Sequence, residues 1–407
     1  MKSILIIING FFPLDRGEDY LENELKYSKN FDTIYICPSN VYGNIICNKK
    51  YNLPNNSRIL TLKKKYTSRI FSCLIFAIFH SFFWEELLKI LSNNCKIGVF
   101  RFFIYSTIKS VNIYKEISKT FNDTDVRITL YSYWMADTAV AASLLRKYSN
   151  LHIVKCVTRC HRFDVYEYAN KLNYLPYRSL ILSSMDEIYP ISVNAYQYLA
   201  NKYGLKDKLN IERLGTEDCG FLSVSKSKSL RIVSCSWLRP VKRIHLILEA
   251  LKLLDIPIEW THYGDGEEYQ KLTEFAKTIN KKNLMISFAG RVNNDEILKI
   301  YKDKKFDVFI NVSENEGVPV SIMEAMSVGM VVIATDVGGT NEIVDDGING
   351  YLLPKDCTPE MVADRIYNIY NMSQEQYAKA RHSSRIIWES MCFSKNNYNK
   401  FYNDLLK

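Results

Sequence analysis

Short apolar runs alternate with amphipathic stretches along almost the whole chain, and this alternation most narrows what it can fold into. Candidate strands in the first half are Ile4–Ile8, Thr33–Cys37, Ile128–Ser132, Ile153–Val157, Glu187–Ile191 and Ile211–Leu214. Helical patterns such as Asp19–Lys29, Ala136–Lys147 and Val193–Lys202 lie between them. A polar stretch, Ser223–Leu230, then interrupts the pattern with the composition of a linker. Behind it the alternation restarts, with strands at Arg231–Ser236, Glu259–Tyr263, Met285–Ala289, Phe306–Val312, Val331–Thr335 and Gly350–Leu353. The intervening helices fit Val241–Leu253, Glu267–Ile279, Asp295–Lys302, Pro319–Val328 and Pro359–Tyr370. Strands joined by helical crossovers run parallel. A chain of 407 residues is too long for one ordinary core. The expectation is an α/β protein of two doubly wound domains, 1–220 and 221–385, facing a cleft. A helical segment, 386–407, is expected to pack back on the first domain. In open sheets of this kind ligands bind beyond the carboxyl ends of the strands, so chemistry is sought in the loops that follow strands.

The formal net charge of +9 can attract nucleic acid, anionic lipid or phosphorylated substrates. There is no block of five or six like charges, zinc-finger spacing or RNA-binding strand motif, so nucleic acid is set aside. The ten cysteines stand at 37, 47, 73, 95, 156, 160, 219, 235, 357 and 392, with no Cys-x-x-Cys pair and no His interleaved at metal spacing. Scattered thiols in a chain this long point to reduced cysteines and a cytoplasmic setting. The apolar run at Ile4–Ile8 is too short for a signal peptide and reads as a first buried strand. The sequons at Asn55 and Asn122 have no meaning in such a setting.

Residues 63–110 depart from the alternation. They begin with Lys63-Lys-Lys65, run through Phe71–Phe79 to Phe82-Phe-Trp84, and continue to Arg101-Phe-Phe-Ile-Tyr105 and Lys109. The apolar core is shorter than the ~20 residues of a spanning helix. Two readings stay open: a hydrophobic helical hairpin packed on the first domain, and a basic, aromatic surface resting on the inner membrane leaflet.

The strongest chemical signal lies at 306–354. The strand through Val312 ends at Ser313, followed by Glu314-Asn-Glu316-Gly317-Val318-Pro319 and a helical pattern that includes Glu324. Pro319 suits a first helical position, where its missing N–H would have no partner. Free backbone N–H groups and the positive end of a helix make a phosphate site. From Glu316 to Glu324 the helical rise is about 12 Å and the direction changes by roughly 80°. That is too wide for a shared proton or a metal clamp, and it suits two contacts to one extended ligand. A carboxylate can accept both hydrogen bonds of a vicinal diol such as a ribose. Ile322, Met323, Ala325 and Met326 surround Glu324 in sequence, so it is expected to be buried.

The pattern Glu316-x7-Glu324, followed by Ala325–Met330, Thr335-Asp-Val-Gly-Gly339, Glu342-Ile-Val and Asp346–Gly350, resembles glycosyltransferase family 4 (glycosyl transferases group 1) of the GT-B fold. The likeness extends to Ser236–Lys242, Tyr263-Gly-Asp-Gly266 and, more loosely, Gly10-Phe-Phe-Pro13, Thr158–Asp164, Ile191-Ser192 and Arg213–Gly215. It implies two Rossmann-like domains and retaining transfer from a nucleoside-diphosphate sugar, with neither cofactor nor essential metal. Carried over by motif, Glu324 would bind the donor ribose, while Glu316 and the amides of Gly317 and Val318 would hold sugar and phosphates. Lys242 would neutralise the leaving diphosphate and His161 would align the reacting groups. Gly264 and Gly266 would face the nucleotide base. Gly10, Phe11 and Asp164 would lie on the acceptor side, where the family often takes lipid-linked glycans. Surface polysaccharide or lipopolysaccharide assembly is the associated setting, with the protein cytoplasmic and peripheral at the membrane.

One position departs from the family. An Arg commonly stands five residues before the phosphate Lys, and here it is Trp237. Arg239 and Arg243 are expected to restore the charge. Glu18, Glu22 and Glu24 read as a solvated acidic helix face, and Asp123-Thr-Asp125 as a solvated turn rather than a metal motif. No P-loop occurs. The rival readings are a nucleotide-sugar epimerase or phosphorylase of the same fold, and a non-catalytic module that binds sugar nucleotide or membrane.

Overall fold

The computed structural model describes residues 1–15, 18, 20–43, 51–92, 96–121 and 126–407, with the backbone alone at 294 and 295. Asp19, Cys47, Cys95, the Asn122 sequon and Asp123-Thr-Asp125 lie outside these residues. The eight described cysteines are free thiols. The chain divides into two units, Met1–Glu212 with Tyr398–Lys407, and Arg213–Asn397.

The first unit has six strands: β1 (Lys2–Asn9), β2 (Thr33–Pro38), β3 (Ser57–Ile59), β4 (Val126–Ser132), β5 (Ile153–Cys160) and β6 (Glu187–Pro190). They form one parallel sheet in the order β3-β2-β1-β4-β5-β6. Its helices are α1 (Tyr20–Leu25), α2 (Ile70–Ile78), α3 (Ser81–Ser92), α4 (Ile97–Thr120), α5 (Asp137–Tyr148), α6 (Arg178–Ser184) and α7 (Val193–Tyr203). Leu5–Ile8 of β1 are fully buried on both faces, as a parallel sheet covered by helices requires.

The second unit repeats the plan with β7 (Leu230–Cys235), β8 (Ile258–Tyr263), β9 (Leu284–Gly290), β10 (Val308–Asn311), β11 (Val331–Thr335) and β12 (Gly350–Leu353). The order is β12-β11-β10-β7-β8-β9, again parallel. The helices are α8 (Ile244–Leu253), α9 (Tyr269–Lys277), α10 (Asn294–Lys304), α11 (Val320–Ser327), α12 (Pro359–Asn371) and α13 (Gln374–Met391), and α14 (Ser394–Leu406) ends the chain. Numbered from its own first strand, each sheet has the doubly wound order 3-2-1-4-5-6. The order reverses between β1 and β4, and between β7 and β10.

Several expectations change. Ile211–Leu214 is not a strand: beside β6 the described residues make the Ile188–Leu209 bridge and the bonds Asn210 N–Ile188 O and Glu212 N–Pro190 O, without a ladder. The linker-like 223–230 segment belongs to the second unit, where the Lys226 ammonium donates to the carbonyls of Tyr370 and Met372. Of 386–407, only 398–407 joins the first unit, where Tyr398, Phe401, Tyr402 and Leu405 pack with Leu5, Ile7 and Tyr131. The α13 helix stays with the second unit through Arg381, which donates to the carbonyls of Phe306, Leu222 and Val328.

The acidic residues near α1 are not a solvated face. Glu18 is 3% exposed and Glu24 fully buried. Glu24 is ion-paired with Arg159 on β5, whose guanidinium lies 4.3 Å from the ring centre of Phe401. Glu22 accepts from the Asn52 amide at 2.7 Å. Helices α2, α3 and α4 send Cys73, Ala77, Phe82, Phe83, Ile90 and Phe103 into the core of the first unit. Their other faces expose Phe71, Ile75, Phe79, Trp84, Leu88, Leu91 and Ile97. Among the described residues no single helix is long and apolar enough to cross a membrane, although 66–78 and 81–92, bent by 89°, pass that test as a pair.

The second unit is tied together by Asp307, which is fully buried before β10. It accepts from Arg231 N at 2.9 Å, Arg231 Nε at 3.1 Å, Ser227 Oγ at 2.9 Å and Tyr377 Oη at 2.6 Å. Sheet, preceding segment and α13 thus meet on one carboxylate. Tyr377→Phe, which removes one donor, should cost about 1–2 kcal/mol. Asp307→Ala, which strands Arg231 and Tyr377, should cost about 3–5 kcal/mol. Urea denaturation of the two variants measures both, and equal costs would contradict the shared network.

Candidate functional site

The loops leaving β7 and β10 meet where the order of the second sheet reverses. The loop after β7 turns through a short 3₁₀ segment, Pro240–Lys242, into α8. The loop after β10 runs from Val312 to Pro319. Glu314 N donates to Val241 O at 2.8 Å and joins the two loops. Their side chains meet as well, since Lys242 Nζ donates to Glu316 Oε1 at 2.6 Å. Asn311, at the end of β10, donates to the same oxygen at 3.2 Å and accepts from Ser313 N at 3.0 Å. Lys242 and Glu316, 74 residues apart, are therefore one ion pair at the sheet's switch point.

Glycines after β11 hold this loop in place. A Cβ on Gly338, at φ +61°, would lie 2.1 Å from the Glu316 carbonyl oxygen, and Gly339 N donates to Gly317 O at 2.6 Å. The N–H groups of Gly317 and Val318 have no acceptor among the described residues. Pro319 caps α11 with extended backbone rather than occupying its first turn, so the helix begins one residue later than expected, at Val320.

Glu324 is in the second turn of α11 and is 8% exposed, as its apolar neighbours predicted. Its carboxylate has no hydrogen-bond partner among the described residues. Burial pushes its pKa up to about 8. Among the described residues the other buried acids have donors, so Glu324 is the exception there.

The glycines after β8 serve the loop after β7. A Cβ on Gly264 would meet Ser236 O at 1.8 Å, and one on Gly266 would meet Leu238 O at 2.5 Å. Both positions therefore demand glycine for close backbone approach. The Arg243 expectation needs correction. Its Nε donates to Val312 O at 2.8 Å and its Nη1 to Lys355 O at 2.7 Å. That guanidinium is spent on carbonyls, so it splints the two loops and does not replace the charge missing at 237. Trp237 is 49% exposed. Arg239 lies 5.8 Å from its ring centre and Arg291 lies 4.9 Å from it. Arg291 was missed in the sequence. Its position directly after β9, at the carboxyl edge of the sheet, was the available signal.

In the first unit, His161 follows β5 and packs on two aromatic rings, Trp134 at 4.2 Å and Tyr133 at 4.8 Å between centres. Asp164, expected on the acceptor side, is fully buried. It accepts from His161 N at 2.8 Å and Met135 N at 2.9 Å, which makes it a brace for the loops after β4 and β5. Phe11 is 37% exposed beyond β1. Gly10 has Glu18 against it, since a Cβ there would lie 2.9 Å from Glu18 Oε1. Trp134 and Glu18 had not been singled out as site residues, because their contacts join positions 116 residues apart.

Comparison with known proteins fits this architecture. Residues 222–385 match the family model for glycosyl transferases group 1. The chain is 28% identical over 246 residues to the GtfA subunit of the UDP-N-acetylglucosamine–peptide N-acetylglucosaminyltransferase of Streptococcus agalactiae, a match covering 57% of this chain and 45% of that one. It is 26% identical over 236 residues to a putative colanic acid biosynthesis glycosyltransferase, WcaL, of Salmonella typhimurium, covering 55% and 57%. The chain thus spans about half the length of these relatives. Among solved structures, Anabaena HepE in complex with UDP superposes with a TM-score of 0.69 at 14% identity, covering 100% of this chain and 99% of that one. That likeness shows the fold, which is GT-B. Residues 222–385, most of the second unit, are thus similar to the glycosyl transferases group 1 family.

Proposed function

We propose that the protein is a retaining glycosyltransferase that moves a sugar from a nucleoside-diphosphate sugar to a glycan or glycolipid acceptor. The observation that carries this reading is the Lys242–Glu316 pair at the switch point of the second sheet, beside unpaired amides at Gly317 and Val318. Lys242 has three N–H groups and spends one on Glu316, so it can also hold a phosphate oxygen. As the bond to the leaving diphosphate breaks, negative charge grows there. Lys242 and the amides would stabilise it without reorganising, which is preorganised electrostatic catalysis and needs no metal. Glu324 would accept the ribose hydroxyls. His161 would align the acceptor for attack from the leaving-group face. Arg239 and Arg291, which lie over the Trp237 ring and have no ion-pair partner among the described residues, could take over the role of the family's missing Arg. HepE was solved with UDP, which makes UDP the first nucleotide to test.

The basic, apolar face of α2 to α4 supports a second part of the proposal, a lipid-linked acceptor met at the cytoplasmic face of a membrane. Exposed Lys63, Lys64, Lys65 and Arg101 accompany the exposed rings of Phe71, Phe79 and Trp84. Sedimentation with anionic phosphatidylglycerol vesicles should occur at low salt and weaken in Phe71→Ser/Phe79→Ser. Equal sedimentation of this variant would remove the membrane part of the reading.

Purified protein should hydrolyse or transfer sugar from one member of a UDP- and GDP-sugar panel. Lys242→Ala and Glu316→Ala should lower kcat by about 100-fold or more. Tight nucleotide binding with no turnover of any donor would instead favour a non-catalytic module, and inversion of the sugar without transfer would favour an epimerase.

Glu324 adds a pH dependence. An acid whose folded pKa is raised holds its proton more tightly folded than unfolded, so stability is lost as pH rises from the ordinary 4.5 through about 8. The unliganded protein should therefore melt lower at pH 8 than at pH 5.5, and Glu324→Gln should reduce that fall. Accepting two ribose hydroxyls requires the ionised form, so nucleotide binding near neutral pH should release a proton. Calorimetry in two buffers of different ionisation enthalpy reads this release, which Glu324→Gln should abolish. Release unchanged in that variant would assign the proton elsewhere.

A further inference from the structure

The imidazole of His161 lacks the polar orienting partner that an aligning histidine usually has. Neither ring nitrogen has a hydrogen-bond partner among the described residues, and Nδ1 is 3.9 Å from Asp164 Oδ2, beyond hydrogen-bond range. Asp164 spends its carboxylate on backbone amides. What contacts the imidazole is aromatic. Trp134 lies 4.2 Å from it with the planes at 46°, and Phe163 packs on the same indole at 4.8 Å.

The indole is itself fixed, by Glu18. Trp134 Nε1 donates to Glu18 Oε1, the oxygen that also accepts from Gly10 N at 2.7 Å. Oε2 accepts from Phe11 N at 2.8 Å, Phe12 N at 3.1 Å and Asn9 Nδ2 at 2.8 Å. Five donors, from the end of β1, the loop after it and Trp134 beyond β4, thus converge on one buried carboxylate. Only an acceptor-only group satisfies them all.

We propose that Glu18 and Trp134 are the positioning pair of the first unit: Glu18 fixes the indole of Trp134, and the indole fixes the imidazole of His161. The role rests on ring packing instead of a carboxylate–imidazole hydrogen bond. It also ties the angle of His161 to the loop at Gly10–Phe12, so the loops after β1, β4 and β5 move as one surface. For turnover, the inference rests on the function proposed above. For the geometry of His161, it does not.

The test uses Glu18→Gln and Trp134→Phe in the full chain. Glutamine presents an NH₂ group to converging N–H donors, whereas phenylalanine keeps a ring and loses the indole N–H. In histidine-labelled protein, the imidazole resonances of His161, assigned with His161→Asn, should carry a ring-current shift from Trp134. In both variants they should move or broaden, while those of His262 in the second unit stay in place. Unmoved His161 resonances in a folded variant would overturn the proposal, and this readout needs no substrate. With an active donor, Trp134→Phe should lower kcat by roughly 10- to 100-fold, the scale of a small misplacement of a reacting group. Donor affinity should be unchanged, and Trp134→Phe/His161→Asn should be no slower than His161→Asn alone. Multiplying effects would mean that Trp134 acts on the substrate directly, and would also overturn the proposal. A wild-type protein that turns over no nucleotide sugar would count against the proposed function, while the resonances still decide the positioning role.

Discussion

A parallel sheet that winds outward from its centre in both directions must part its loops where the order reverses, and the residues discussed above stand on loops shaped by that constraint. Loops leaving adjacent strands normally follow helices to the same face. At a switch point they depart to opposite faces and leave a gap beyond the strand ends. In the second unit the gap opens beyond β7 and β10, and the Lys242–Glu316 pair spans it. Its width depends on how closely the backbones approach, and there side chains are excluded. Gly264 and Gly266 let the β8 loop press on the β7 loop, and Gly338 lets the β11 loop press on Glu316. The Arg243 guanidinium then bonds the two loops' supports through Val312 and Lys355.

The acids of this chain separate by what satisfies them. Removing a carboxylate from water is costly unless donors replace the lost hydration. Asp307 has Arg231, Ser227 and Tyr377; Glu24 has Arg159; Asp164 has two backbone amides. Those groups are at rest in the folded protein. Glu324 has only burial, which holds its proton to about pH 8. Stability is poorly served by such a group, and a ligand's hydroxyls are what would relieve it.

Sequence periodicity read the sheets well where strands are buried on both faces. Val331–Thr335 and Gly350–Leu353 have the bounds their apolar runs suggest, because nothing but burial decides them. It failed at the margins. Ser57-Arg-Ile59 is a short, largely exposed edge strand with no apolar run to detect, and Ile211–Leu214 has such a run without a strand partner along its length. The candidate site divides in the same way. The places of Glu316, Lys242 and Glu324 were legible because each depends only on position along a strand–loop–helix unit. Glu18, Glu24 and Arg243 were misjudged because their partners are contacts over long separations: Trp134 for Glu18, Arg159 for Glu24, Lys355 for Arg243. A helix pattern records which side of an element is apolar. It is silent about a buried cation arriving from another strand.

The two sheets share one winding order, so each unit has a switch point, and loops with backbone amides flank both: the loop after β1 in the first unit and the loop after β10 in the second. The amides of Gly10, Phe11 and Phe12 already face the Glu18 carboxylate, while those of Gly317 and Val318 face none among the described residues. A carboxylate tethered a few residues away is present at an effective concentration of the order of millimolar or more, and it never diffuses off. It acts as a resident competitor. A single glutamate thus makes the two mouths of a repeated fold unequal: it fills the one beyond β1 with its own negative charge.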